Sequence, residues 1–265
     1  MYSAFQLAKK YLQYYVHASN GKGHGVHSPF VFDFVKNVLN DNKEYACYQQ
    51  IESVRRKLLR DPSIIEVQDL GAGSAFIKTT KRAVNKIAAS SLKRKKYSQL
   101  LFRIVQYYKP AFIVELGTSF GITTSYMASG NEHATVISLE GAPAIADIAK
   151  QSFKELELKN IVVAGGDFQQ TLPPVLADIK TVDLAFVDGN HRKKPTLEYF
   201  TMLLEGSAIS TTIIFDDIHW SEEMEEAWEV IQGHPAVTLT IDLFFIGIVF
   251  VNPAFKVKQH FQIRF

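Results

Sequence analysis

The chain has 265 residues, a net charge of +2 with histidines neutral, and 47% hydrophobic residues. That is enough apolar material for one large core, or for a core with an appendage. The single cysteine, Cys47, excludes an intramolecular disulfide framework and metal sites built from several cysteines. The small net charge makes no case for nucleic acid by itself. Residues 1–15 lack the uninterrupted apolar core of a signal peptide. The longest late apolar run, Leu243 to Val251, is interrupted by Gly247 and too short to span a bilayer. These features predict a cytoplasmic protein with no membrane partner.

The first third reads as a helical cap. Phe5, Ala8, Leu12, Tyr15 and Val16 recur at helical spacing, which predicts a first helix with that stripe inward. Asn20-Gly21 stops it, and the glycine-rich loop GKGHGVHS follows. His17, His24 and His27 cluster near this loop at no metal-ligand spacing and read as ordinary loop and helix-end histidines. Ser28-Pro29 is a helix start, with Ser as N-cap and Pro at the first helical position. Phe30, Phe34, Val35 and Val38 supply that helix's buried face. A third helix is predicted over residues 45–60, with Ile51, Val54, Leu58 and Leu59 inward.

Val67-Gln-Asp69-Leu-Gly71-Ala-Gly73 imitates a nucleotide-binding turn. A true one needs a following helix and then a second strand ending in an acid. After Gly73 the chain shows two helical patterns with no strand between them, so this loop is expected to link helices or to touch substrate. Lys78, Lys81, Arg82, Lys86, Lys93, Arg94, Lys95 and Lys96 make the region basic. A solvated helix face is the simpler reading, and a docking surface for nucleic acid is the alternative.

From Pro110 the pattern becomes α/β. Strands are expected at 111–116, 135–139, 161–164, 182–187 and 212–215, each followed by a helix. The last two, 237–241 and 244–251, are joined too closely for a helical crossover and must be antiparallel neighbours. The fold class is therefore α/β: a Rossmann-like, seven-stranded, mostly parallel sheet with an antiparallel terminal strand and an N-terminal helical cap. The division is residues 1–109 as cap or lid and 110–265 as core.

In such a sheet, ligands sit beyond the carboxyl ends of the strands. Those ends carry Glu115, Glu140, Asp167, Asp188 and Asp216-Asp217. An acidic rim repels a phosphate-rich cofactor and favours a cationic or hydroxyl-rich one. Gly117 and Gly121 frame a tight turn between the first strand and its helix. Glu140 ends the second strand, where an acid accepts both hydroxyls of a ribose.

The motifs ELGTSFG at 115–121, ISLEG at 137–141, GGDF at 165–168, DLAFVDGNH at 183–191 and IIFDDIHW at 213–220 occur in that order. With the terminal pair TLTIDLFFIGIVFV, they make residues 110–251 resemble a class I S-adenosylmethionine-dependent methyltransferase, close to the catechol and caffeoyl-CoA O-methyltransferases. The resemblance implies that Gly117, Thr118, Ser119 and Gly121 cradle the methionyl part of S-adenosylmethionine. It implies that Glu115 shapes the loop, Glu140 binds ribose, Gly166 and Asp167 lie by the adenine, and Asp188 lies near the transferred methyl.

Metal-dependent relatives place an Asp, an Asp and an Asn where this chain has Asp188, Asp216 and Asp217, a donor set that suits Mg²⁺. Asp217 in place of Asn, and no lysine directly after Asp188, depart from that pattern, so metal-assisted and metal-free transfer both stay open. His191 is the candidate general base and His219 its competitor. The expected activity is O-methylation of a small-molecule acceptor. An RNA methyltransferase and a non-catalytic cofactor-binding module are the alternatives. An NAD-linked dehydrogenase is disfavoured, because ELGTSFG lacks the third glycine of GxGxxG. The oligomeric state is not legible.

Overall fold

The computed structural model describes residues 1–23, 26–69 and 78–265. His24, and Gly71 and Gly73 of the imitation loop, lie outside the described residues. The chain divides into two compact units, residues 1–41 with 179–265, and residues 42–178.

Helix α1, Ala4–His17, opens with a capping box in which Ser3 and Gln6 satisfy each other's backbone N–H groups. It buries Tyr14, with Leu7 and Tyr11 packed beside it against Phe244 and Phe245. The expected inward stripe is therefore the outward one: Phe5, Leu12, Tyr15 and Val16 are exposed. The aromatic and apolar residues at 7, 11 and 14 make a second stripe of the same period, and that stripe has aromatic rings to meet. Helix α2, Pro29–Phe34, is capped by Ser28 and runs on as a π-helical turn, Val35–Leu39. Phe34, Val35 and Val38 are buried as expected.

The next unit begins with helix α3, Ala46–Leu58, which buries Ile51, Val54 and Leu58 but leaves Leu59 exposed. A correction follows. Where helices were expected on both sides of the glycine loop, strands β1, Ile64–Asp69, and β2, Lys78–Ala83, pair antiparallel from Ile64 opposite Ala83 to Asp69 opposite Lys78. The runs Ile64-Ile65 and Thr79-Thr80 are β-branched and favour extended backbone. Glu66 lies opposite Lys81, with their charged groups 3.7 Å apart. The two helices expected after the loop are present as α4, Val84–Ser91, and α5, Lys95–Tyr108.

Strand β3, Phe112–Leu116, leads through the glycine turn into α6, Ile122–Gly130. Then come β4, Thr135–Glu140, α7, Pro143–Glu155, β5, Ile161–Gly165, and α8, Phe168–Ile179. Within this unit β3, β4 and β5 pair in that order, all parallel.

The rest of the chain returns to the first unit. It comprises β6, Val182–Val187, α9, Lys193–Glu205, β7, Ser207–Asp216, α10, Glu222–Gly233, β8, Leu239–Asp242, and β9, Ile246–Val251. Strand β6 is parallel to β7, whereas β9 is antiparallel to both β7 and β8. The expected strands are thus β3 to β9, with the terminal antiparallel hairpin in place. The sequence reading missed one more, β10, Gln259–Gln262, which runs parallel to β8. Its residues QHFQ are mostly polar and carry no strand signal. The fold is α/β and Rossmann-like, with a mostly parallel sheet.

Gly121 has φ +79°, and a Cβ there would lie 2.4 Å from the Phe153 ring of α7. Gly121→Ala should therefore lower unfolding stability by about 1–3 kcal/mol through overpacking and left-handed backbone strain. Gly165→Ala, where a Cβ meets nothing within 4 Å, should stay within about 0.5 kcal/mol of the parent. Urea denaturation of the two variants checks this, and equal effects would defeat the argument.

Candidate functional site

In residues 42–178 the site is built from two strand ends and one turn. Glu115, near the end of β3, is completely buried. A buried carboxylate is costly unless it is hydrogen-bonded, and here three hydroxyls supply the bonds. Thr123 Oγ1 donates at 2.7 Å, Ser138 Oγ donates at 2.5 Å, and Thr124 Oγ1 also donates. Because Ser138 has one proton and gives it to Glu115, the 2.5 Å contact between Thr118 and Ser138 must be donated by Thr118. Thr118, Ser138 and Glu115 thus form a directed chain joining the turn to β4 and β3.

The turn itself is left-handed at three points, with φ 105° at Gly117, 48° at Ser119 and 79° at Gly121. Gly117 and Thr118 both donate their N–H to the carbonyl of Leu139, at 3.0 and 3.1 Å. Glu140, at the end of β4, accepts from Ser119 N at 2.9 Å and from Ala142 N at 3.0 Å. Burial pushes the Glu140 carboxyl above its ordinary value, against the backbone N–H groups of Ala142, Ser119 and Gly141, which pull it down. A carboxylate can accept about four hydrogen bonds, so capacity for ligand hydroxyls remains.

Ser119 Oγ also meets Ser91 Oγ of α4 at 2.9 Å, a support that sequence reasoning did not find. Gly166 has φ 135° and donates to the Glu140 carbonyl. Asp167 caps α8, its Oδ1 accepting from Gln169 N at 2.9 Å.

In the other unit, three expected residues converge. Asp188, His191 and Asp216 each place a donor atom within 4.8 Å of the others. His191 Nε2 lies 3.6 Å from Asp188 Oδ1. The turn that brings it back passes through Asn190, at φ 66°, whose amide donates to Tyr199 OH. Asp217 is not in this group. Its φ is 54°, and its N–H is bonded to the Phe245 carbonyl.

His219 is engaged elsewhere. Its Nδ1 faces Glu225 at 3.0 Å and its Nε2 faces Asp242 at 2.9 Å, and its ring stacks on Phe244. Burial acts to lower its pKa, but the two carboxylates outweigh it and the net shift is upward. A ring with both nitrogens donating is an imidazolium, which has no lone pair with which to accept a proton.

Residues 114–218 match a family model described as a methyltransferase domain. Over those residues the chain is similar to methyltransferase domains. Solved structures with the same fold include an O-methyltransferase from Bacillus cereus in complex with SAH, at 20% identity and TM-score 0.55, covering 83% of this chain and 96% of that one. The O-methyltransferase TomG of tomaymycin synthesis from Streptomyces achromogenes, in complex with SAM, aligns at 16% identity and TM-score 0.56, covering 79% and 91%. The SAH-bound Podospora anserina methyltransferase PaMTH1 aligns at 14% and 0.57, covering 84% and 96%. At these identities the likeness is one of fold. Among curated proteins no sequence matches. Among the described residues no helix of the domain or its flanks is long and apolar enough to cross a membrane.

Glu115→Ala should destabilise the protein by about 1–3 kcal/mol, because buried hydroxyls lose their acceptor. Chemical denaturation measures this. A change below about 0.5 kcal/mol would show that the hydroxyl cluster does not depend on the acid.

Proposed function

We propose that the chain is an S-adenosylmethionine-dependent O-methyltransferase acting on a hydroxyl of a small-molecule acceptor. The observation that carries this reading is Glu140. Its carboxylate ends β4, accepts from the Ser119 N–H of the glycine turn and from the Ala142 N–H that follows the strand, and keeps acceptor capacity for a ribose diol. Gly117, Thr118, Ser119 and Gly121 give a turn whose backbone can approach a ligand closely. Gly166 and Asp167 follow the next strand end and are assigned to the adenine side. We assign the transfer chemistry to residues 110–265.

When bound, S-adenosylmethionine supplies a methyl group on a positively charged sulfur. His191 would take the proton of the acceptor hydroxyl, and the cofactor would supply the methyl group to that oxygen and leave as S-adenosylhomocysteine. Asp188, 3.6 Å from His191, would orient the imidazole.

A second reading rests on the convergence of Asp188, His191 and Asp216. One imidazole nitrogen and two carboxylates fit a divalent cation. A mixed nitrogen and oxygen set suits Mn²⁺, Fe²⁺ or Zn²⁺ better than the Mg²⁺ expected from three carboxylates. In that case Asp188, His191 and Asp216 would hold the ion, which would supply a Lewis acid for the acceptor hydroxyl. Asp217, the third ligand expected from sequence, belongs to this reading only through its position after Asp216.

Calorimetry should show S-adenosylhomocysteine binding and no NAD binding. Glu140→Ala should weaken the former by about 1–3 kcal/mol; an unchanged affinity removes Glu140 from the site. His191→Ala should slow methyl transfer by about 10²–10⁴-fold, with S-adenosylhomocysteine binding retained. Chelator-insensitive transfer supports His191 as base. Transfer lost in chelator and restored by Mn²⁺, with cofactor binding intact throughout, supports the metal.

A further inference from the structure

Helix α1 carries two apolar faces and packs only one. Leu7, Tyr11 and Tyr14 lie against Phe244 and Phe245. The other stripe, Phe5, Ala8, Leu12, Tyr15 and Val16, points to solvent, with Phe5 81% exposed and Leu12 and Val16 each 64%. Contiguous apolar surface of this kind on a soluble chain marks a contact with something else.

Charge narrows what that is. Residues 1–32 contain no Asp or Glu, while Lys9, Lys10 and Lys22 lie among them. Lys10 is tied to Glu225 at 2.8 Å, but among the described residues Lys9, beside the stripe, has no ion-pair partner. Arg264 adds a second cation, its guanidinium 4.5 Å from the centre of the Tyr15 ring. Apolar and aromatic side chains flanked by cations, with no acid among them, match an anionic amphiphilic surface.

Size narrows it further. The stripe's exposed side chains present a few hundred Å² of apolar accessible surface, short of the roughly 800 Å² per partner of a standard protein interface. Pairing α1 with a second copy would not hold a dimer by itself. A bilayer surface has no such threshold, because each buried side chain and each nearby cation adds to binding independently.

We infer that α1 lies on an anionic membrane surface, its stripe Phe5–Leu12–Val16 among the headgroups and Lys9 and Arg264 on the lipid phosphates. This departs from the expectation, drawn from hydropathy, of no membrane partner; spanning a bilayer and lying on one are separate physical properties.

The test is co-sedimentation of the full chain with vesicles of phosphatidylglycerol and phosphatidylcholine in equal parts, and with vesicles of phosphatidylcholine alone. The full chain should bind the anionic vesicles at low salt, release from them as salt rises, and bind the neutral ones at least about tenfold more weakly. Phe5→Glu with Leu12→Glu should abolish binding, and Lys9→Glu should weaken it by more than about fivefold. No binding to anionic vesicles, or wild-type binding by the double variant, overturns the inference. So does a dimer in light scattering that the double variant dissociates, since the stripe then belongs to a second copy. A large fall in the double variant's unfolding temperature overturns it as well, because the stripe would then be covered within the molecule.

Discussion

The glycine turn depends on one buried charge. Glu115 sits where no water reaches it, and its hydroxyl partners come from the start of α6 and from β4. The acid therefore fixes where α6 begins relative to two strands, and through Thr118 and Ser138 it reaches back into the turn. A turn with left-handed residues at 117, 119 and 121 is strained by its nature. It persists because hydrogen bonds from both sides over-determine it, with Leu139 and Glu140 accepting its N–H groups. The result is a turn whose geometry is fixed by the chain's own hydrogen bonds.

Much of this was legible in the chain. The acids at the strand ends could be read because parallel strands are short apolar runs that stop where polarity returns, and β3 to β9 appear where those runs are. Glu140 was placed by the same logic. The hydroxyls at Thr123, Thr124 and Ser138 were not found, since a threonine in a helix and a serine in a strand give no sign of what they face. Strands β1 and β2 were missed for a different reason. Their residues mix charged with β-branched side chains beside a glycine loop, and the lysines read as a helix surface. The α1 stripe shows the limit of periodicity: a helix with two apolar faces offers two answers, and only the aromatic pair Phe244 and Phe245 decides which is packed.

The two histidines near the acids show how environment separates like residues. Sequence placed His191 and His219 on equal footing, each a few residues after an Asp. In the fold, His219 is clamped between Glu225 and Asp242 and stacked on a ring, so its charge is structural. His191 meets Asp188 through one nitrogen in a half-exposed turn and keeps the freedom that proton transfer or metal ligation needs.

That clamp also ties together distant parts of the chain. Lys10 reaches Glu225 across 215 residues, Tyr14 reaches the carbonyl of Ile263 across 249, and Ser19 bridges to Ile263. Contacts this non-local close late in folding. At roughly 5–20 residues per second of synthesis, α1 emerges and then waits on the order of ten to fifty seconds for its first partners to exist. During that interval the apolar residues of both faces, those that later meet Phe244 and Phe245 and those that never do, are open to chaperones together.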